Sequence, residues 1–118
     1  YKDFRFRAGD VVADNASSGA WATGSVVVKP EDIDLLNEKV EVYVDGELEH
    51  TGTGADVQGH PGEALALAAN DLARRGLAIE AGQIVLTGGI TDAVFAPPGS
   101  TVTCKFSTLG EVIIEGGE

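Results

Sequence analysis

The sequence predicts a mainly β domain with one α-helix, an α+β fold whose mixed sheet is curved or barrel-like. Three observations lead to this prediction: a hairpin signal, one strongly patterned helix, and several short β-rich runs around them. With 118 residues, the chain has room for one domain with a modest core. We therefore expect residues 1–118 to form a single domain.

The clearest strand signal is a hairpin in the first half of the chain. The run KVEVYV is followed by Asp45-Gly46 and then by ELEHTG. Asp-Gly between two such runs is typical of a two-residue turn, because both central positions need a positive φ. Further strand-like runs are YKDFRF, WATGSVVVKP, QIVLTGG, TVTCKFS and GEVIIE.

The helix is predicted from about Pro61 to Arg75. Proline is tolerated at the first helical position, and Gly76 is a natural residue to follow the last turn. His60, just before the helix, is expected to act as a cap or turn residue. Apolar residues recur at helical spacing, and we expect the helix to pack on the sheet through Leu65, Ala68 and Leu72.

Charge and cysteine content exclude several classes of function. The net charge of −11 disfavours binding to nucleic acid or to an anionic membrane surface. It is compatible with a soluble cytoplasmic enzyme. The single cysteine, Cys104, alternates with Val102 and Phe106 in a predicted strand, so we expect a buried and unreactive thiol.

Two short segments carry groups suited to binding a ligand. Asp14, Asn15, Ser17 and Ser18 place a carboxylate, an amide and two hydroxyls within five residues. Such a cluster either caps its own turn or binds an oxygen of a substrate. The second segment is LTGGIT, whose glycines indicate either a bulge at a sheet corner or a close approach of backbone to a ligand.

Four motifs, taken in order, resemble the fumarylacetoacetate hydrolase superfamily. They are VADNASS, GHP at the start of the helix, AGQIVLTGGIT and LGEVII, and they extend over essentially the whole chain. Each motif alone is weak, but four in the same order are specific. The resemblance is strongest to the branch of 2-keto-4-pentenoate hydratase and 4-oxalocrotonate decarboxylase. The runs YKDFRF and LTGGIT favour the decarboxylase.

The resemblance implies a metal-dependent lyase of aromatic meta-cleavage catabolism. A decarboxylase of this branch converts 4-oxalocrotonate (2-oxo-3-hexenedioate) to 2-hydroxy-2,4-pentadienoate. The substrate chelates Mg²⁺ or Mn²⁺, which acts as a Lewis acid. A hydratase, the alternative, would use the same chelation to add water to the diene.

The resemblance also assigns roles to the two polar segments. Asn15, Ser17 and Ser18 would bind the substrate, and Asp14 is a candidate catalytic residue. Gly88, Gly89 and Thr91 would form a second wall near the substrate carboxylate. Trp21 is expected to pack beneath the pocket rather than take part in the chemistry.

Family members hold their metal with carboxylates that precede the segment matching Tyr1, so we expect no metal ligand within this chain. The sequence also contains no methionine, even at position 1. We therefore expect the C-terminal half of a longer catalytic domain, inactive on its own. Expected partners are the missing N-terminal half, further copies of the protein, and the neighbouring hydratase or decarboxylase of the pathway.

A second interpretation, a protein without catalytic activity, stays open. A fragment that keeps the fold without catalysis would serve as a binding or oligomerisation module. Metal ligands in the parent protein would argue against that interpretation.

Overall fold

The computed structural model describes residues 5–13 and 15–117. This part of the chain forms two α-helices and four β-strands. The helices are α1 (Ala8–Ala13) and α2 (Pro61–Arg74), and the strands are β1 (Lys39–Val44), β2 (Glu47–Thr53), β3 (Thr101–Phe106) and β4 (Glu111–Glu115). Neither helix has the length and apolar character that crossing a membrane requires, in the residues that the structure describes.

The four strands form one sheet in the order β2-β1-β3-β4, and every neighbouring pair is antiparallel. The predicted α+β class is therefore confirmed. The mixed, barrel-like sheet is not formed by the described residues. Closing a barrel needs the first and last strands to pair, whereas β2 and β4 are separated here by two other strands.

The predicted hairpin is confirmed, since β1 and β2 pair directly across Asp45-Gly46. Both turn residues have positive φ, 51° at Asp45 and 85° at Gly46. Val40 and Val42 of β1 are buried, at 4% and 6% exposure, while Glu41 between them is exposed. This alternation places the apolar face of the sheet on the Val42 side.

The helix is confirmed over Pro61–Arg74, and both of its ends form as predicted. The Nδ1 atom of His60 accepts a 2.9 Å hydrogen bond from the backbone N–H of Gly62. Gly76, just past the helix, has a φ of 73°. Histidine and glycine here satisfy backbone groups that have no partner within the helix.

The predicted packing of α2 on the sheet is wrong. Leu65 is 40% exposed, Ala68 is exposed, and Leu72 is half-buried. All residues of the helix are at least partly exposed. The apolar stripe exists in the sequence, but α2 makes no extensive contact with the described strands, and Leu65 and Ala68 stay exposed.

Two predicted strands are also absent from the described part of the chain. Residues 21–30 and 83–89 have no ladder partner there, and Val27 is 92% exposed. Strand-forming side chains favour a strand only where a neighbouring strand accepts its hydrogen bonds. Residues 1–4 of the YKDFRF run lie outside the described residues, and residues 5–7 are irregular.

Candidate functional site

The polar cluster of the sequence follows α1 directly. Residues Asn15–Ser17 form a single tight turn, and the backbone N–H of Ser18 donates a 3.2 Å hydrogen bond to the carbonyl of Asn15. Asp14 lies outside the described residues, as does the side chain of Ser17. The structure therefore locates two of the four predicted side chains, those of Asn15 and Ser18.

The turn holds two consecutive residues in the left-handed region. Asn15 has a φ of 47° and Ala16 a φ of 55°. Asparagine tolerates this conformation, whereas alanine pays about 1–2 kcal/mol for it. Unfavourable backbone of this kind persists where the surrounding structure imposes it, often at binding sites.

Asn15 and Ser18 open onto a groove of about 530 Å³, which we call the neutral groove. Its opposite wall comes from the irregular segment before residues 87–91, which we call the glycine loop. The described residues lining it are Asn15, Ala16, Ser18, Gly19, Ala20, Trp21, Ile84, Val85 and Leu86. None of these described lining residues carries a charge, so the groove offers uncharged hydrogen-bonding groups beside an apolar wall.

The glycine loop lines a different cavity, of about 340 Å³, which we call the acidic pocket. Its described lining residues are His50, Thr51, Asp56, Gly89, Ile90, Thr91 and Asp92. The Thr91 hydroxyl donates a 3.0 Å hydrogen bond to the carbonyl of Asp92. Two aspartates make this pocket unfavourable for a carboxylate group unless a cation accompanies it.

The acidic pocket is shaped by a close contact between the loop and β2. A Cβ built on Gly52 would overlap the carbonyl oxygen of Ile90, so only glycine lets the two backbones approach this closely. His50, two residues before Gly52, pairs with the buried Val42 and lies on the same face of the sheet as Val42. The contact fixes the loop over that face.

The predicted site residues are therefore divided between two cavities. Asn15 and Ser18 line the neutral groove, and Gly89 and Thr91 line the acidic pocket. Gly88 lies against Val57, where an added Cβ would stand 3.7 Å from Cγ1. Residues 84–92 run from one cavity to the other and connect them.

Sequence reasoning missed the position of Trp21. The sequence predicts a packed side chain beneath the pocket, but Trp21 is 57% exposed and lines the neutral groove itself. Ile84 and Leu86, taken from the sequence as strand residues, are 59% and 61% exposed in the same groove. The sequence does carry a signal for this position, because Trp21 comes only three residues after Ser18 of the polar cluster.

The chain has one thiol, that of Cys104 in strand β3. Burial raises the pKa of the Cys104 thiol, which favours the protonated and weakly nucleophilic form predicted from the sequence. Cys104 is half-buried rather than fully buried. Among residues 5–13 and 15–117, no group of three His, Cys, Asp or Glu side chains is arranged to hold a metal ion.

Comparison with known proteins decides the family. The sequence pattern of the fumarylacetoacetate hydrolase C-terminal family matches residues 2–115. The chain belongs to the fumarylacetoacetate hydrolase family. The resemblance carried by the four sequence motifs is thereby confirmed.

Relatives within the fumarylacetoacetate hydrolase family include both enzymes of the predicted branch. The chain is 45% identical to a 4-oxalocrotonate decarboxylase of Pseudomonas putida over 95% of its length, covering 42% of that enzyme. It is 38% identical to a 2-keto-4-pentenoate hydratase of Paraburkholderia phymatum, over 94% of this chain and 42% of that protein.

A solved structure of the family matches the fold closely. It is the 4-oxalocrotonate decarboxylase of Pseudomonas putida G7 complexed with magnesium and adipate. The TM-score is 0.92 at 42% sequence identity, and the match covers 98% of this chain and 44% of that one. The chain thus spans less than half the length of these relatives.

Proposed function

We propose that this chain is the C-terminal half of a 4-oxalocrotonate decarboxylase, with residues 1–118 as one domain. The full-length lyase would remove CO₂ from 2-oxo-3-hexenedioate and yield 2-hydroxy-2,4-pentadienoate in aromatic meta-cleavage catabolism. The observation that carries this proposal is the identity over almost the whole chain, which is higher to the decarboxylase than to the hydratase.

The second candidate function is hydration of 2-hydroxy-2,4-pentadienoate. It is supported by the substantial identity to the 2-keto-4-pentenoate hydratase over nearly the same residues. In both reactions, negative charge develops on the oxygen at carbon 2 of the substrate, next to a conjugated carbon chain. The choice between them depends on whether CO₂ leaves the substrate.

The neutral groove suits that shared chemistry. The Asn15 amide and Ser18 hydroxyl would donate hydrogen bonds to the enolate oxygen as its charge grows. Donors fixed in advance stabilise such a charge, each by an amount worth about 10²–10³ in rate. The described residues that line the groove are uncharged, so none of them opposes the growing negative charge. Gly89 and Thr91 would shape the adjoining cavity, and Asp14 is proposed as a catalytic residue.

The proposed cofactor is Mg²⁺ or Mn²⁺, held by residues in the rest of the protein. Magnesium in the related decarboxylase structure supports this proposal. The described residues do not fit a metal site, because they place no three suitable ligands together. We therefore expect the 118-residue chain alone to be inactive.

The large exposed surface supports a partner for this chain. A compact monomer of this length exposes about 6,000 Å² and has a radius of gyration of about 13.5 Å. This chain exposes 8969 Å² and has a radius of gyration of 15.6 Å. The excess of roughly 3,000 Å² on this one chain is at least as large as the roughly 1,000–2,500 Å² that each partner buries in a permanent interface.

Apolar side chains make up much of that surface. A groove of about 520 Å³ runs between the irregular segment before β1 and the β3–β4 hairpin. Its lining includes Val26, Val28, Phe106 and Val112. We propose that the N-terminal half of the protein covers this groove and supplies the strands that close the sheet into a barrel-like form. Homo-oligomers and the neighbouring pathway enzyme are further proposed partners, in the cytoplasm.

A non-catalytic binding or oligomerisation module is the remaining alternative. Such a protein would keep the partner surface and lose the chemistry. Light scattering of the 118-residue chain and of the full-length protein would report assembly, and a rate assay on the full-length protein would report catalysis. Assembly without any Mg²⁺-dependent rate would favour the module.

The test of the proposed function uses purified full-length protein with Mg²⁺. We expect CO₂ release from 2-oxo-3-hexenedioate that stops when a chelator removes the metal. Hydration of 2-hydroxy-2,4-pentadienoate without CO₂ release would instead establish the hydratase. Inactivity on both compounds would reject both candidates.

A further inference from the structure

The apolar side of the neutral groove has an unusual composition for an exposed surface. The Trp21 indole is 57% exposed there, facing a cavity that it shares with Ile84 and Leu86. Large exposed apolar side chains that gather around one cavity mark a contact with a ligand or partner. The amide of Asn15 and the hydroxyl of Ser18 line the same cavity.

We propose that Trp21 is a specificity-determining residue whose indole ring holds the planar conjugated carbon chain of the substrate in the neutral groove. This inference rests on the proposed function. The substrate has an unsaturated carbon chain between a 2-oxo carboxylate end and a distal carboxylate. The groove is lined by the hydrogen-bonding groups of Asn15 and Ser18, by the indole of Trp21, and by the aliphatic side chains of Ile84 and Leu86.

The carbon chain of the substrate is matched to the groove by its flat shape and its lack of charge. Flat π systems stack on an aromatic face with a gain beyond the burial of apolar area. A saturated chain of equal length bends out of plane and loses that extra gain. The described lining residues are uncharged and favour the carbon chain over a carboxylate, since a charge placed among them would lose water without gaining an ionic partner from them.

The residues that line the groove come from two distant segments of the chain. Trp21 follows the strained turn at Asn15 and Ala16, which sets the direction of the chain as it enters the groove. Ile84, Val85 and Leu86 precede the glycine loop, whose Ile90 is held against Gly52 of β2. The two walls of the groove are therefore tied to different parts of the fold and face each other across it.

The test compares two six-carbon dicarboxylates in the Mg²⁺-loaded full-length protein. trans,trans-Muconate is planar and conjugated, and adipate is saturated with the same charge. Calorimetry would give the affinity for each in the wild type, Trp21→Phe and Trp21→Leu. Phe95→Ala is the control, because Phe95 is an aromatic residue that is 84% exposed and is not among the residues lining the groove.

We expect the wild type to bind muconate more tightly than adipate. Trp21→Leu should weaken muconate binding about 10-fold or more and change adipate binding less than about 3-fold. Trp21→Phe should keep most of the preference, and Phe95→Ala should keep all of it. The Trp21→Phe variant should lack the part of the tryptophan fluorescence that Trp21 emits. Muconate should quench that part in the wild type.

Two outcomes would overturn the inference. If Trp21→Leu leaves muconate affinity within about 2-fold of wild type while lowering the melting temperature, Trp21 is covered by the rest of the protein. If both ligands weaken equally, the ring does not recognise a planar chain. If the wild type releases CO₂, either of these results leaves the proposed function intact. If the wild type releases no CO₂, the proposed function itself is rejected.

Discussion

The Thr108 hydroxyl donates a 2.6 Å hydrogen bond to the carboxylate of Glu38, seventy residues earlier in the chain. Two backbone N–H groups also donate to this carboxylate, those of Thr108 at 2.8 Å and Leu109 at 3.3 Å. Glu38 is only 4% exposed. One buried carboxylate thus ties the start of β1 to the turn between β3 and β4.

The same contacts set the ionisation of Glu38. Burial alone raises the pKa of this carboxyl, but the hydrogen bonds from Thr108, Ser107 and Leu109 together outweigh burial and hold the pKa below its ordinary value. A carboxyl whose pKa is lower in the folded state stabilises the fold above its unfolded pKa. That stabilisation is lost as the pH falls through the folded pKa.

The first prediction is that Glu38→Gln lowers the free energy of unfolding of the full-length protein by about 1.5–3 kcal/mol at pH 7, because hydrogen bonds to a charged group are lost. Urea unfolding at pH 7 and near pH 3 measures the effect, and the difference between variant and wild type should shrink at the lower pH. Glu49→Gln, at an exposed carboxylate on β2, is the control. A difference that grows on acidification would contradict the assigned ionisation.

The second prediction concerns the contact that holds the glycine loop. Gly52→Ala should lower the free energy of unfolding by about 1–3 kcal/mol, because the new Cβ forces β2 away from the carbonyl of Ile90. Thermal melts of the full-length protein measure this loss. Gly9→Ala is the control, since its Cβ meets nothing within 4 Å. Equal melting temperatures for Gly52→Ala and wild type would show that the loop is held elsewhere.

The third prediction separates binding by Asn15 from its role in the turn. Asn15→Gly removes the amide but keeps a residue that adopts the observed φ of 47° without strain. We expect kcat/KM of the full-length enzyme to fall about 10²–10³-fold with little change in melting temperature. Asn15→Ala should lose a similar rate and also about 1 kcal/mol of stability. Unchanged kinetics in both variants would leave the cluster as a turn only.

Local signals in the sequence predicted the local parts of the fold. The Asp45-Gly46 turn and the capped helix α2 depend on residues that are neighbours in sequence, and both form as predicted. The failures involve surfaces that need a distant partner. Leu65 belongs to an apolar stripe without a layer to cover it, and Ile84 belongs to a strand-like run without a ladder partner among the described residues.

The candidate site, too, was predictable from local residue types but not from contacts between distant residues. Asn15 and Ser18 were identified from their residue types, and the structure places both in one groove. Their separation from Gly89 and Thr91 into two cavities follows from the contact between Gly52 and Ile90, which alternation along β2 does not reveal. The sequence predicts that Trp21 packs beneath the pocket, yet its side chain is 57% exposed and lines the groove.

The central claim is most directly tested by measuring CO₂ released from 2-oxo-3-hexenedioate by the full-length protein, with and without Mg²⁺. We expect one equivalent of CO₂ per substrate consumed, formation of 2-hydroxy-2,4-pentadienoate, and loss of the rate on chelation. The matched measurement supplies 2-hydroxy-2,4-pentadienoate and follows its hydration. Hydration at an enzymatic rate, with no CO₂ released from the hexenedioate, would contradict the decarboxylase assignment.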